Sequence, residues 1–274
     1  MRKLLVAAAV ALLLVPVAAK ANELPSPPRS IMFPGSLSIS AAGGEPTEPG
    51  NVTSSTTADQ GVTIARRGSV FVVGFVNLSL RADTVGYDWN NTTPYRSGVK
   101  VVLLDSHGVF EASVGVMGEN RGRFAAPRAT ALLSYWRGWR GDALSGHGNG
   151  LRPDAFPGSA YASSGYLTSR EARNWITAVS IEQGATVYSR ARFALTPFVR
   201  AMSGMDEDGR PWNNRSRLDA GLKLSRALAG GVIEAGVARR QSYDRISHHF
   251  HQGPQSTVAF VNLWMGWTPR VLIQ

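Results

Sequence analysis

Arg217–Ser225 reads RLDAGLKLS. Leu218, Ala220, Leu222 and Leu224 take every second position, while Arg217, Asp219, Lys223 and Ser225 stand between them. A period of two belongs to an extended strand whose side chains alternate between faces, so this stretch predicts a strand with one apolar and one charged face. Ala227–Gly231 then reads as a tight turn, and Ile233, Ala235 and Val237 alternate with Glu234 and Gly236 beyond it. Together the two runs predict a hairpin.

The same hairpin occurs earlier in the chain. Gly98-Val99-Lys100 precedes Gly221-Leu222-Lys223 by 123 residues, and Gly108–Ala112 precedes Gly231–Ala235 by the same interval. That offset also superimposes the two FPGS strings at Phe33 and Phe156, Asp59-Gln60-Gly61 on Glu182-Gln183-Gly184, and Trp89-Asn90-Asn91 on Trp212-Asn213-Asn214. Two further pairs need small loop adjustments: Leu80-Arg81-Ala82 on Val199-Arg200-Ala201 at 119, and Trp136-x-Gly138-Trp139 on Trp264-x-Gly266-Trp267 at 128. The order and spacing predict a tandem duplication whose period is too long for a solenoid, so that each copy forms half of one structure.

Each copy reads as six strands, near 36–42, 52–65, 69–83, 95–105, 108–121 and 129–140, then 159–168, 174–188, 192–202, 216–227, 231–245 and 256–268. Short links (Arg66–Gly68, Ser189–Ala191) alternate with longer ones (Thr84–Pro94, Ser203–Arg215, Arg245–Gln255). An even strand number with short turns on one side and long loops on the other predicts an all-β fold, an antiparallel transmembrane β-barrel of about 12 strands with both ends on the periplasmic side. Alternation alone also fits a soluble periplasmic β-protein with its apolar face turned inward. Trp136, Trp139, Trp264 and Trp267, near strand ends, suit an aromatic girdle and favour the membrane reading. The chain runs past Trp267 as TPRVLIQ, whereas bacterial barrels usually close on an aromatic residue.

The first residues, MRKLLVAAAVALLLVPVAAKA, combine two cations, an apolar run and an A-x-A site, the pattern of a secretory signal peptide. The predicted organisation is a signal peptide at 1–21, an N-terminal segment at 22–32, a first repeat at 33–140, a glycine-rich link at 141–155, a second repeat at 156–268 and a tail at 269–274. Without the leader's three basic residues, a chain of formal charge +10 retains +7. For an exported protein this basic balance fits an anionic saccharide or lipid headgroup and argues against nucleic acid. With no cysteine, neither disulfides nor thiolate chemistry is available.

The charged strand faces supply the candidate lumen-lining residues Arg81, Lys100, Glu111, Arg200, Asp219, Lys223 and Glu234. Lys100 with Glu111, and Lys223 with Glu234, lie near-diagonally across their hairpins and are expected to compensate one another. The set carries one excess positive charge, to which Arg96 and Arg217 add. Trp89, Asn90 and Asn91, with Trp212, Asn213 and Asn214, are candidate glycan contacts in two long loops; the alternative is that the tryptophans anchor the loops and the asparagines make turns.

The stretches SIEQGATVYSRARFALTPFVRAM, LDAGLKL, GVIEAGVARR and FVNLWMGW resemble the C-terminal barrel of the phage-adsorption-protein-A family and related exopolysaccharide-associated outer-membrane proteins. The resemblance covers most of 156–268. It implies an outer-membrane location and a polysaccharide role, and transfers no catalytic residue.

The five histidines fall in expected turns or loops, and no carboxylate completes a metal site at SHHFH, the neighbouring Asp244 reading equally well as a solvated loop residue. No nucleophile-elbow pattern places a serine beside a histidine and an acid. The expected function is therefore a non-enzymatic outer-membrane barrel for saccharide passage or surface display, with no cofactor or metal. A soluble glycan-binding β-protein and a lipid-modifying barrel enzyme are the alternatives.

Overall fold

The computed structural model describes residues 30–44, 50–87, 91–106, 108–120, 126–142, 155–169, 172–209, 213–246, 249–268 and 270–272. The expected signal peptide at 1–21, most of the expected link at 141–155, Trp89, Asn90 and Trp212 lie outside them. The strands are β1 (Ser30–Met32), β2 (Gly35–Gly43), β3 (Val52–Arg67), β4 (Val70–Asp83), β5 (Thr93–Leu104), β6 (Gly108–Asn120), β7 (Arg128–Asp142), β8 (Ala155–Ser169), β9 (Ala172–Gly184), β10 (Tyr188–Arg190), β11 (Phe193–Asp206), β12 (Arg215–Leu228), β13 (Gly231–Ile246), β14 (His249–Trp267) and β15 (Arg270–Leu272).

Every neighbouring pair is antiparallel. β2 lies beside β14, and β9 pairs with β11 from Phe198↔Gly184 to Asp206↔Ile176, so twelve strands close into a barrel. β10 continues β9 along the lower part of β11, and one extra residue bulges the ladder between them, as also happens between Thr63 and Ala65 on β3. This bulge splits the single strand expected over 174–188. Gly68 and Gly230 occupy the left-handed region at φ 57° and 79° in two of the short turns, where a side chain would be strained.

The alternation at 217–225 becomes inside against outside. Asp219 and Lys223 are 2% and 8% exposed, whereas Leu218, Leu222 and Leu224 are 43%, 40% and 47% exposed. Val76, Leu78, Val99, Val114, Val179, Ile181, Val199, Val237 and Val261 extend this apolar exterior around the wall. Charges inside and aliphatic groups outside reverse the pattern of a soluble barrel. A closed antiparallel barrel with an apolar belt is the outer-membrane architecture, because lipid offers no partner for backbone N–H and C=O groups.

Aromatic residues border the belt on the outward face. Trp139, Tyr188, Phe193 and Trp267 stand at the short-turn end, and Tyr95, Tyr166 and Trp175 at the other. Only two of the four tryptophans expected in the girdle belong to it. Trp136 and Trp264 share the inward parity of Ser134 and Asn262, since residues three apart on a strand point to opposite faces.

One other expectation needs correction. The predicted loop Arg245–Gln255 is largely strand: β13 and β14 pair through Tyr243↔Gln252 to Ile246↔His249. Beyond the lipid both faces of a hairpin meet water, so the ladder continues where hydropathy no longer alternates. Past Trp267, Arg270–Leu272 form β15, which pairs with β1 through Ile31↔Val271. β1 and β15 are thereby clasped together beside the short-turn rim.

Leu222→Arg would put a cation against lipid at the middle of a strand. It is expected to destabilise the folded barrel by about 2–4 kcal/mol, measured by urea unfolding in lipid vesicles, and to reduce the heat-modifiable folded band on gels.

Candidate lumen site

The interior charges form two clusters on opposite walls. In the first, Lys100 Nζ donates to Asp59 Oδ1 at 3.0 Å and lies 3.3 Å from Glu111 Oε1. The ring of Phe75 lies beneath two cations, Lys100 at 5.4 Å and Arg96 at 5.1 Å. In the second, Lys223 Nζ donates to Glu182 and Glu234, each at 2.6 Å, and Arg200 Nε donates to Glu182 at 2.8 Å. Phe198 lies under Arg200 and Lys223, and meets Phe260 edge-on at 5.8 Å. Such cation–π contacts hold the cations against the wall as well as against the carboxylates.

Asp59, Lys100, Glu111 and Phe75 each precede Glu182, Lys223, Glu234 and Phe198 by 123 residues, and corresponding members make corresponding contacts. The row along the short-turn rim also recurs, its glutamines and prolines at 123 residues and its tryptophans at 128. Trp267 Nε1 donates to Gln60 Oε1 at 3.1 Å, and Trp139 Nε1 to Gln183 Oε1 at 3.0 Å; each glutamine then donates to a neighbouring carbonyl, that of Pro34 or Pro157.

All seven candidate lumen residues stand on the inward face. Lys100, Glu111, Arg200, Asp219, Lys223 and Glu234 take part in ion pairs, whereas Arg81 is exposed near the long-loop mouth opposite Thr92. Arg200 is consequently not the counterpart of Arg81. It occupies the register of Asn77: Asn77 faces Asp59, and Arg200 faces Glu182. The expected single excess charge is also altered, because Asp59, Glu182 and Arg240 join the set. Their acidity or basicity was visible in the sequence, but assigning them to the lumen requires strand pairing. Arg240 grips Asp219 with two bonds of 2.7 Å, and the two are the most enclosed ion pair among the described residues.

The candidate loop asparagines are used structurally. Asn91 Nδ2 donates to Asp83 Oδ1 at 2.9 Å, and the backbone N–H groups of Gly86 and Tyr87 donate to the same oxygen. In the other loop Asn213 and Asn214 donate to Asp206 at 2.7 Å each, joined by Asn174 at 2.9 Å. These amides brace the loops at the strand ends. Trp89, Asn90 and Trp212 lie outside the described residues. No group of three or more metal-ligating side chains occurs among the described residues, and His107, His147 and His248 lie outside them.

No protein-family model matches the sequence, and no curated protein matches it. Among solved structures, the chain is similar to the β-domain of the Bordetella autotransporter BrkA, with a TM-score of 0.39 at 11% identity over 85% of this chain and 98% of that one. It is similar to a KdgM porin at TM-score 0.38 and 7% identity, covering 85% and 99%. A bacterial polysaccharide outer-membrane secretin gives 0.39 and 10%, covering 85% and 98%. These overlaps are too loose to carry a function, and the fold assignment rests on the closed ladder and its apolar exterior.

Removing one member of the enclosed Asp219–Arg240 pair leaves its partner's charge in a confined space. Asp219→Ala should cost about 3–5 kcal/mol in urea unfolding, as for other enclosed pairs broken on one side. Glu111→Ala, at the more exposed end of its cluster, should cost at most about 1 kcal/mol.

Proposed function

We propose that the barrel serves the passage of an acidic saccharide across the outer membrane. The observation that carries this reading is the distribution of cations over the interior. The mid-lumen lysines are held by carboxylates, and Arg81, Arg96, Arg128, Arg215 and Arg217 stand on the inward face of the half nearer the long loops, a face they share with Asp83, Glu119 and Asp206. Guanidinium groups suit carboxylate- or sulfate-bearing sugars because their fork matches two oxygens at once. A mouth carrying several arginines interspersed with carboxylates attracts an anionic chain without trapping it, as passage through a pore requires. The sequence resemblance to exopolysaccharide-associated barrels supports the same reading, and the contacts recurring at 123 residues support a barrel built from two fused six-strand halves.

A second reading has its own observation. The clusters at Lys100 and Lys223, with Phe75, Phe198 and Phe260, reach into the interior from opposite walls, which suits a filled scaffold used for surface display.

Planar-bilayer recordings separate the two. Passage predicts an anion-selective conductance whose selectivity falls in Arg96→Gln and Arg217→Gln, and an acidic oligosaccharide that interrupts the current more often than a neutral one. A cation-selective wild type would defeat the acidic-saccharide reading. No conductance from correctly folded protein would leave the filled scaffold.

A further inference from the structure

The Trp-x-Gly pairs at 136–138 and 264–266 have no part in the girdle or the ion clusters. Trp136 and Trp264 face inward near the short-turn mouth, yet remain 49% and 51% exposed. What lies beneath each indole explains its posture. The residue two places on is glycine, on the same inward face, and a Cβ there would come within 2.8 Å of Trp136 Cη2 at Gly138 and 3.0 Å of Trp264 Cη2 at Gly266. Each ring therefore lies over a bare stretch of backbone, one side resting on the wall and the other turned to the lumen. Structural packing alone would bury both sides of so large an apolar ring.

What surrounds the open faces points to their ligand. Trp264 pairs with Ser38, Ser38 with Thr57, and Thr57 with Ser79, so a row of hydroxyls leads away from the indole along the lumen wall. Because the strands of such barrels tilt, a hydrogen-bonded row climbs the wall as it passes from strand to strand. From Trp136 the corresponding row runs through Tyr161 and Ser180. An apolar plate followed by hydroxyls matches a pyranose chain, whose rings present flat C–H faces and whose edges carry hydroxyl groups. The two plates lie on strands β7 and β14, half the barrel apart.

We propose that Trp136 and Trp264 are paired stacking platforms that receive sugar rings at the periplasmic mouth. The proposal rests on the passage reading and adds a binding step that does not depend on the ligand's charge. The glycines have a defined part in it: a side chain at 138 or 266 would lift the indole from the wall and turn its free face.

The test uses purified full-length barrel in planar bilayers, with cellohexaose, a neutral pyranose chain, added on the side of the short turns. The wild type should show transient current blocks. Trp136→Ala and Trp264→Ala should each weaken the block about tenfold, the scale of one aromatic stacking contact, with the open-channel current retained. Trp→Phe at either position should keep most of the block, and Gly138→Val or Gly266→Val should lose it. Heat-modifiable mobility identifies folded variants, and the Phe variants serve if an Ala variant does not fold. Blocks unchanged in both Ala variants, or a conducting wild type that cellohexaose never blocks, would overturn the platforms while leaving passage intact. A folded wild type without conductance would overturn passage and the platforms together.

Discussion

The pairing of β9 with β11 is the constraint on which the molecule depends. In hydrocarbon a backbone N–H or C=O has no solvent partner, so an open sheet edge would carry a run of unsatisfied groups costing several kcal/mol each. From Phe198↔Gly184 to Asp206↔Ile176 that edge is paired, and among the described residues each of the twelve wall strands has a neighbour on both sides. Closure then assigns every side chain a solvent. One parity meets lipid, and the other meets the lumen.

That assignment explains why leucines are exposed and lysines enclosed in the same strand. Lys223 and Lys100 are tolerated inside because carboxylates from two strands away in the wall, Glu182 and Asp59, reach them along with the cross-hairpin partners Glu234 and Glu111. An enclosed charge without such partners would be costly, and the clusters are best understood as mutually satisfied groups rather than as sources of net stability. Aromatic rings beneath the cations limit their motion and narrow the lumen at the same level. Nearer the long loops, arginines and the carboxylates Asp83, Glu119 and Asp206 share the inward face.

The rim shows how sensitive function is to parity. Trp136 and Trp139 differ by three positions, which on a strand means opposite faces: Trp139 bonds Gln183 at the membrane border, and Trp136 covers Gly138 inside. The same division separates Trp267 from Trp264. Two residues of one type, a single turn of sequence apart, thus have different solvents and different uses.

Strand positions and faces were legible in the sequence because hydropathy with a period of two records directly which face meets lipid. The alternation at 217–225 determined the orientation of Asp219, Lys223 and their leucine neighbours, and short links such as Arg66–Gly68 marked the tight turns. Where both faces meet water, at Arg245–Gln255, that record vanished and a paired extension read as a loop. Tertiary structure alone decided which strands meet across the closure, and therefore that Arg200 faces Glu182, that Lys223 shares Glu182 with it, and that Arg240 grips Asp219. The physical reason is that alternation is a local property of one strand, whereas register between strands depends on tilt, bulges and the fit of side chains drawn from distant parts of the chain.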